Sequence, residues 1–114
     1  GMTTNNDIGY RIAESQGNWP AIEHGQATVS SAGTAVQLNN GTSVAVPDGA
    51  RLAVTAKPSN AGVVFVGSGD VTGSNGFEIA AGDGVSLNTT DVSNVSVDAA
   101  NDGDGVSWIV EVDG

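Results

Sequence analysis

From Gln26 onward, short valine-rich runs alternate with clusters of Gly, Asn, Asp, Ser and Pro at intervals of about eight to twelve residues. This spacing constrains the fold most, because no window of about ten residues carries helical periodicity with caps. The 114 residues include sixteen Val and fourteen Ala but only three Leu, a composition that favours strands over helices. The sequence therefore predicts an all-β fold with many turns.

The pattern predicts about nine short strands, which cover residues 26–31, 34–38, 43–46, 51–57, 63–66, 76–80, 85–88, 94–98 and 106–112. Pro47-Asp48-Gly49 suits a type I turn, and it and the loop 58–62 are expected to be hairpin ends. About nine strands in about ninety residues are not expected to form one flat sheet with one face exposed to solvent. We expect a two-sheet β-sandwich, jelly-roll-like, with little helix.

Two strands carry informative apolar patterns. In 106–112, Val106, Trp108 and Val110 alternate with smaller or polar residues, except that Ile109 falls on the polar side. By contrast, the run 63–66 is apolar at every position, which predicts a strand covered on both faces. The second cover is expected to come from a partner chain, which would contact Val64 and Val66.

Residues 2–25 form a separate compositional unit, which we interpret as an extended N-terminal arm preceding a sandwich domain at 26–114. The arm contains the only Tyr, the only His and three of the five Ile. Its apolar residues Ile8, Tyr10, Ile12 and Trp19 need a surface to cover them, either the chain's own sheet or a neighbouring subunit. We therefore expect a homo-oligomer, in which the arm residues, Val64, Val66 and Ile109 make the contacts.

The formal net charge of −10 opposes several classes of partner. Only Arg11, Arg51 and Lys57 are basic, against thirteen acidic residues, so the long-range field repels nucleic acids and anionic lipid headgroups. No window approaches the roughly 18 to 20 apolar residues that cross a bilayer. We expect no nucleic-acid or membrane partner and, outside a virion, a soluble protein.

The supply of catalytic side chains is small. The chain has no cysteine, which excludes disulfides, thiolate catalysis and cysteine-ligated metals, and His24 is its only histidine. A nucleophile paired with a base and an orienting acid is therefore not apparent, and we expect a protein without enzymatic activity or cofactor.

One loop has the residue types of a calcium site. Asn101, Asp102 and Asp104 stand with Gly103 and Gly105 in one short loop and resemble the first half of an EF-hand loop, although the downstream Glu is missing. The loop is either a plain hairpin connection or a weak Ca²⁺ site. The glycine-rich stretch 67–76 has no following Lys or helix, which argues against a phosphate-binding loop.

Residues 63–99, reading VVFVGSGDVTGSNGFEIAAGDGVSLNTTDVSNVSVDA, resemble a pattern in small β-sandwich structural proteins of the heads and tails of tailed phages and prophages. A hydrophobic strand ends in Gly67, a Val-Thr pair follows, and Phe77 precedes an acidic turn at Asp83. The resemblance implies a virion protein, such as a capsid decoration, fibre-base or tail component. It also implies assembly with other virion proteins and as a homo-oligomer, for which a trimer is favoured over a dimer.

A second hypothesis from another class is a small binding module for carbohydrate or for a Ca²⁺-dependent ligand. Its site would be formed by the loops 67–76 and 101–105. Sugar-binding platforms need exposed aromatic rings, and the chain contains only five aromatic residues. Terminase, portal or tail genes beside this one would favour the virion hypothesis, and their absence would favour the binding module.

Overall fold

The computed structural model describes residues 22–112, which form eight β-strands and two short 3-10 helices. The helices span Leu38–Gly41 and Val92–Asn94. The strands are β1 (Glu23–Thr28), β2 (Val36–Gln37), β3 (Ala50–Ala56), β4 (Val64–Gly67), β5 (Phe77–Ile79), β6 (Gly84–Leu87), β7 (Ser96–Ala99) and β8 (Gly105–Val112). The prediction of an all-β fold is confirmed.

The strands form two antiparallel sheets of four, with the orders β1-β8-β3-β6 and β2-β7-β4-β5. We call them the first and the second sheet. The pairs are nested about one hairpin, because β4 pairs with β5, β3 with β6, β2 with β7 and β1 with β8. An antiparallel ribbon that closes at such a hairpin and rolls into two sheets is a jelly roll. The predicted jelly-roll-like sandwich is therefore confirmed, with eight strands rather than about nine.

Most connections cross from one sheet to the other. Only the connection from β4 to β5 stays within a sheet, so the loops 58–62 and 101–104 are arches between the sheets and not the predicted hairpins. A turn does form at Pro47, with the N–H of Ala50 donating to the Pro47 carbonyl at 2.9 Å, but it lies on the crossing from β2 to β3 and is not the predicted hairpin end. Gly49 in this turn has a φ of 84°, which makes the turn type II rather than type I.

The first sheet buries one face and exposes the other, as its alternating pattern predicts. Leu52, Val54 and Val106 are fully buried, whereas Ile109 on the outer face is 39% exposed. At the edge strand, a Cβ on Gly25 would lie 2.8 Å from the indole ring of Trp108. The absence of a side chain there lets the buried ring of the neighbouring strand extend beneath β1.

The second sheet is buried on both faces at its centre. Val64 and Val66 belong to the core between the sheets, while Phe65 between them is also buried but lies outside that core. The loop that joins β4 to β5 covers Phe65, since a Cβ on Gly73 would lie 3.3 Å from its ring. The chain itself thus supplies the second cover of β4, which corrects the expectation that a partner chain supplies it and contacts the fully buried Val64.

Two predicted boundaries also change. Residues 43–46 are not a sheet strand: they make a single bridge, between Ala45 and Asp91, and the Asp91 carboxylate accepts the N–H of Val44 at 3.1 Å. The hydrogen bond from Val44 to the Asp91 side chain takes the place of a backbone hydrogen bond between strands. The first strand begins at Glu23 rather than Gln26, because residues 23–25 pair with β8. Residues 2–21 of the predicted arm lie outside the described residues.

Candidate functional site

An apolar groove of about 410 Å³ opens between the sheets on the side where β5 and β6 are the edge strands. Its apolar lining comes from both sheets: Val66, Phe77, Val85, Leu87 and Val95. Its polar rim consists of Ser68, Asn88, Thr89 and Asn94. A concave apolar surface with a few polar groups around it has the form of a ligand or peptide site.

The groove exists because the sandwich is not closed on this side. β5 and β6 have three and four residues, whereas β3 at the centre of the first sheet has seven. Val85 and Leu87 are consequently only half buried, and Phe77 is 62% exposed. Because Phe77 lines the apolar groove, the ring and the groove form one apolar surface, and a surface of this kind marks a candidate contact site.

Hydrogen bonds around Asp91 hold the rim of the groove. The Asp91 carboxylate accepts the Ser43 hydroxyl, the backbone N–H of Ser93 at 2.9 Å and the Ser93 hydroxyl at 2.8 Å. These donors, with Ser43 contributing most, lower the pKa of Asp91 from 3.8 to about 2, because each stabilises the charged form. Asn94 on the rim donates to the Thr89 hydroxyl at 3.2 Å. These bonds hold the arch between β6 and β7, which carries Thr89 and Asn94 of the rim, and join it to the segment at Ser43.

A second, shallower depression of about 300 Å³ lies on the outer face of the first sheet and includes His24, Gln26, Thr55, Ser107 and Ile109. His24 and Ile109 are cross-strand neighbours in the β1–β8 register. Within residues 22–112, no three His, Cys, Asp or Glu side chains are grouped so that they could hold a metal ion.

The loop between β4 and β5 forms a third depression, of about 290 Å³, around Asp70 and Asn75. Its polar groups bond to one another: the Ser68 hydroxyl donates to the Asp70 carboxylate at 2.7 Å, and the Thr72 N–H donates to the Asn75 side chain at 2.8 Å. These bonds shape the loop that covers Phe65.

Two of the three calcium candidates contact Gly62 in the arch after β3, and the third contacts the loop between β1 and β2. Asp104 is buried, and its two carboxylate oxygens accept the N–H groups of Ala61 and Gly62 at 2.8 and 2.9 Å. Asp102 accepts the N–H of Ala32 at 2.8 Å. Asn101 lies beside Gly62, where an added Cβ would meet its side-chain amide. These side chains fasten neighbouring loops to the arch at 101–104.

The loops 67–76 and 101–105 lie near opposite ends of β4. Gly67 pairs with Ser96 at one end, and at the other end the N–H of Ala100 donates to Val63 at 3.1 Å. The hydrogen bonds described above are internal to the loop 67–76 and join the loop 101–105 to other segments, so none of them connects the two loops. A single binding site from both loops, as expected for the binding-module hypothesis, is not assembled by these contacts.

The predicted assembly residues fall into three groups. Ile8, Tyr10, Ile12 and Trp19 lie outside the described residues; Val64 is fully buried and Val66 forms part of the groove lining; Ile109 is accessible on the outer face. Sequence reasoning did not identify the groove or the exposure of Phe77. The only available signal was the position of Phe77 at the start of a short strand after a glycine-rich loop.

Among residues 22–112, no helix is both long enough and apolar enough to cross a bilayer. Comparisons with protein families, with curated proteins and with solved structures find no match to this chain.

Proposed function

We propose that this chain is a non-enzymatic structural protein that acts by homo-oligomeric assembly, as a virion component of a phage or prophage. The observation that supports assembly most directly is the apolar groove, with Phe77 62% exposed beside it. The virion role rests on the resemblance of residues 63–99 and on fold analogy, since eight-stranded jelly rolls build many viral capsids.

The exposed apolar residues have the properties expected of a subunit contact. Ile22, Phe77 and Ile109 are the large hydrophobic residues that the described part of the chain leaves exposed. Covering a few hundred Å² of apolar surface per subunit at about 25 cal/mol per Å² contributes several kcal/mol. That amount is comparable to the whole stability of a small domain, so assembly and folding would be coupled.

The net charge of −10 makes assembly sensitive to salt. Copies of an acidic chain repel one another, and the Debye length of about 8 Å at about 0.15 M salt screens most of that repulsion. The oligomer should therefore become more stable as the salt concentration rises. Binding to a basic partner would show the opposite dependence.

Light scattering coupled to size exclusion, at about 0.15 M salt, tests the proposal. We expect a mass that is an integer multiple of 11.2 kDa, with a trimer favoured, and closed rings in negative-stain images. A variant in which Ile8, Tyr10 and Ile12 are all Ser should shift the mass toward the monomer. A clean monomer of the wild-type chain at high micromolar concentration would refute assembly.

The second hypothesis, a carbohydrate-binding module, is supported by the groove itself rather than by the predicted loops. The exposed Phe77 ring offers a stacking surface, and the amides of Asn88 and Asn94 stand on the rim nearby. A glycan array, read with and without Ca²⁺, tests this alternative. A signal that Phe77→Ser abolishes while the oligomeric mass is unchanged would favour the binding module.

A further inference from the structure

The first sheet has two unpaired edges on opposite sides, and each carries a different feature. In the order β1-β8-β3-β6, one edge is β1, which continues from the N-terminal arm, and the other is β6, which borders the groove. Within residues 22–112, no strand pairs with the outer edge of either. Unpaired edges are templates for an added strand unless something covers them.

The N-terminal arm joins β1 at the same end of the first sheet as the groove. Glu23 pairs with Val110, Val110 with Leu52 and Leu52 with Leu87, so these residues form one row across the first sheet. Glu23 and Leu87 are therefore separated by three strand spacings, roughly 14 Å, at the same end of the sheet. When the β6 side of a neighbouring copy faces β1, the arm starts within reach of that copy's groove, and the β6 edge is left for the arm to pair with.

Within the arm, Ile8-Gly9-Tyr10-Arg11-Ile12 places an apolar residue at every second position. In an extended strand, Ile8, Tyr10 and Ile12 face one way, and Gly9 and Arg11 face the other. Nine residues separate Ile12 from Ile22, enough to span roughly 30 Å when extended. Arg11 is one of three basic residues in a chain that carries thirteen acidic ones, so its charge is complementary to a neighbouring copy.

We propose that residues 8–12 of one copy add as a strand to the free edge of β6 in the neighbouring copy, with Ile8, Tyr10 and Ile12 in the groove between the sheets. This inference rests on the proposed assembly function and names its contact. Backbone hydrogen bonds to β6 supply affinity, and the groove selects the apolar side chains. Because the donor edge and the acceptor edge differ, the contact is head-to-tail and closes into a ring when the rotation permits.

Cysteine crosslinking tests this contact, and only the introduced cysteines can react because the chain contains none of its own. Tyr10→Cys and Asn88→Cys are made in separate full-length proteins, one of them enlarged by a fusion tag, then mixed and oxidised. Asn88 is exposed on the groove rim, so its substitution leaves the core intact. We expect a mixed disulfide dimer of the two differently sized chains.

The matched control replaces Asn88→Cys with Ser59→Cys. Ser59 is exposed in the arch that follows β3, at the end of the first sheet away from Leu87. This pair should give little crosslinking. Adding Phe77→Ser to the Asn88→Cys protein should weaken the crosslinking by about tenfold, because a phenyl ring would be lost from the contact.

The double variant with both Tyr10→Cys and Asn88→Cys in one chain separates the outcomes. We expect intermolecular ladders. An internal disulfide in monomeric chains would place the arm in its own groove and overturn the inference. Equal crosslinking at Ser59, or none at Asn88 in a chain that light scattering shows to be oligomeric, would also overturn it while leaving the assembly function standing. A monomeric mass would instead reject the assembly function itself.

Discussion

The two sheets bury their residues in different ways. In the first sheet, only the inner face is buried: Leu52 and Val54 are fully enclosed, whereas Ile109 on the outer face is 39% exposed. In the second sheet, β7 is buried at all four positions, and β4 is buried from Val64 to Val66. The sheets have the same number of strands, so strand count does not explain the difference.

Loops of the same chain explain it. The β4–β5 loop covers Phe65 on the outer face of the second sheet, and the N–H of Gly33 in the loop between β1 and β2 donates to the buried Asp98 carboxylate at 2.9 Å. Asp98 also accepts the N–H of Ala99 at 2.8 Å. A continuous apolar run can therefore indicate a strand covered by its own chain, and it does not by itself indicate a subunit contact.

The largest test of this comparison is Phe65→Ala. Phe65 is 7% exposed outside the main core, so truncation should reduce the free energy of unfolding by about 3–5 kcal/mol through lost burial and the cavity under the loop. Urea unfolding at a fixed protein concentration measures the change. A loss below about 1 kcal/mol would mean that the loop does not enclose the ring.

The sequence predicts the first sheet better than the second. Alternation in 51–57 and 106–112 predicted the buried faces of β3 and β8, because a strand with one solvent-exposed face alternates apolar and polar residues. The prediction of a strand at 43–46 was wrong because the Asp91 side chain accepts the N–H of Val44. The alternation of apolar and polar residues does not indicate that a side chain, rather than a neighbouring strand, accepts a backbone N–H. Phe65 is covered by residues about ten positions further along the chain. The composition of that loop does not indicate the path that its backbone takes.

The groove was not predictable for a related reason. Its lining combines Val66 and Phe77 of the second sheet with Val85 and Leu87 of the first, residues that appear in the sequence as ordinary strand positions. Their convergence depends on which strands become edges, and that is a property of the strand order. The turn at Gly49, by contrast, was predictable from Pro47-Asp48-Gly49, because glycine there adopts a φ of 84° at little cost.

Gly76→Ala tests the loop from its other side. A Cβ at Gly76 would lie 2.6 Å from the Phe65 Cβ and 3.0 Å from the backbone oxygen of Thr72, so the loop must shift. We expect a loss of about 1–3 kcal/mol in the free energy of unfolding, from overpacking. Gly69→Ala is the matched control in the same loop, because nothing lies within 4 Å of its added methyl. Equal effects of the two changes would show that the loop does not pack on Phe65.

Asp91 links the segment before β3 to the arch between β6 and β7, and its contribution should depend on pH. Its pKa is lowered from 3.8 to about 2, chiefly by the Ser43 hydroxyl and then by Ser93. The stabilisation is therefore present above about pH 4 and disappears as the pH falls through about 2. Urea unfolding of wild type and Asp91→Asn should differ at neutral pH and converge near pH 2. Ser43→Ala should reproduce part of this behaviour, whereas a constant difference at all pH values would contradict it.

The smallest effect is expected at Ile109, the counterpart of Phe65 on the outer face of the first sheet. It is 39% exposed beside His24 and Ala53 on the neighbouring strands, and no loop covers it among the described residues. In the isolated chain, Ile109→Ser should lower the free energy of unfolding by about 1 kcal/mol, because the side chain is partly buried on an inner strand. A loss of several kcal/mol in the oligomer, at a concentration where light scattering shows association, would mean that a partner covers this face. Unfolding measured above and below the association concentration distinguishes the two cases, because only a subunit contact makes the cost of the substitution depend on protein concentration.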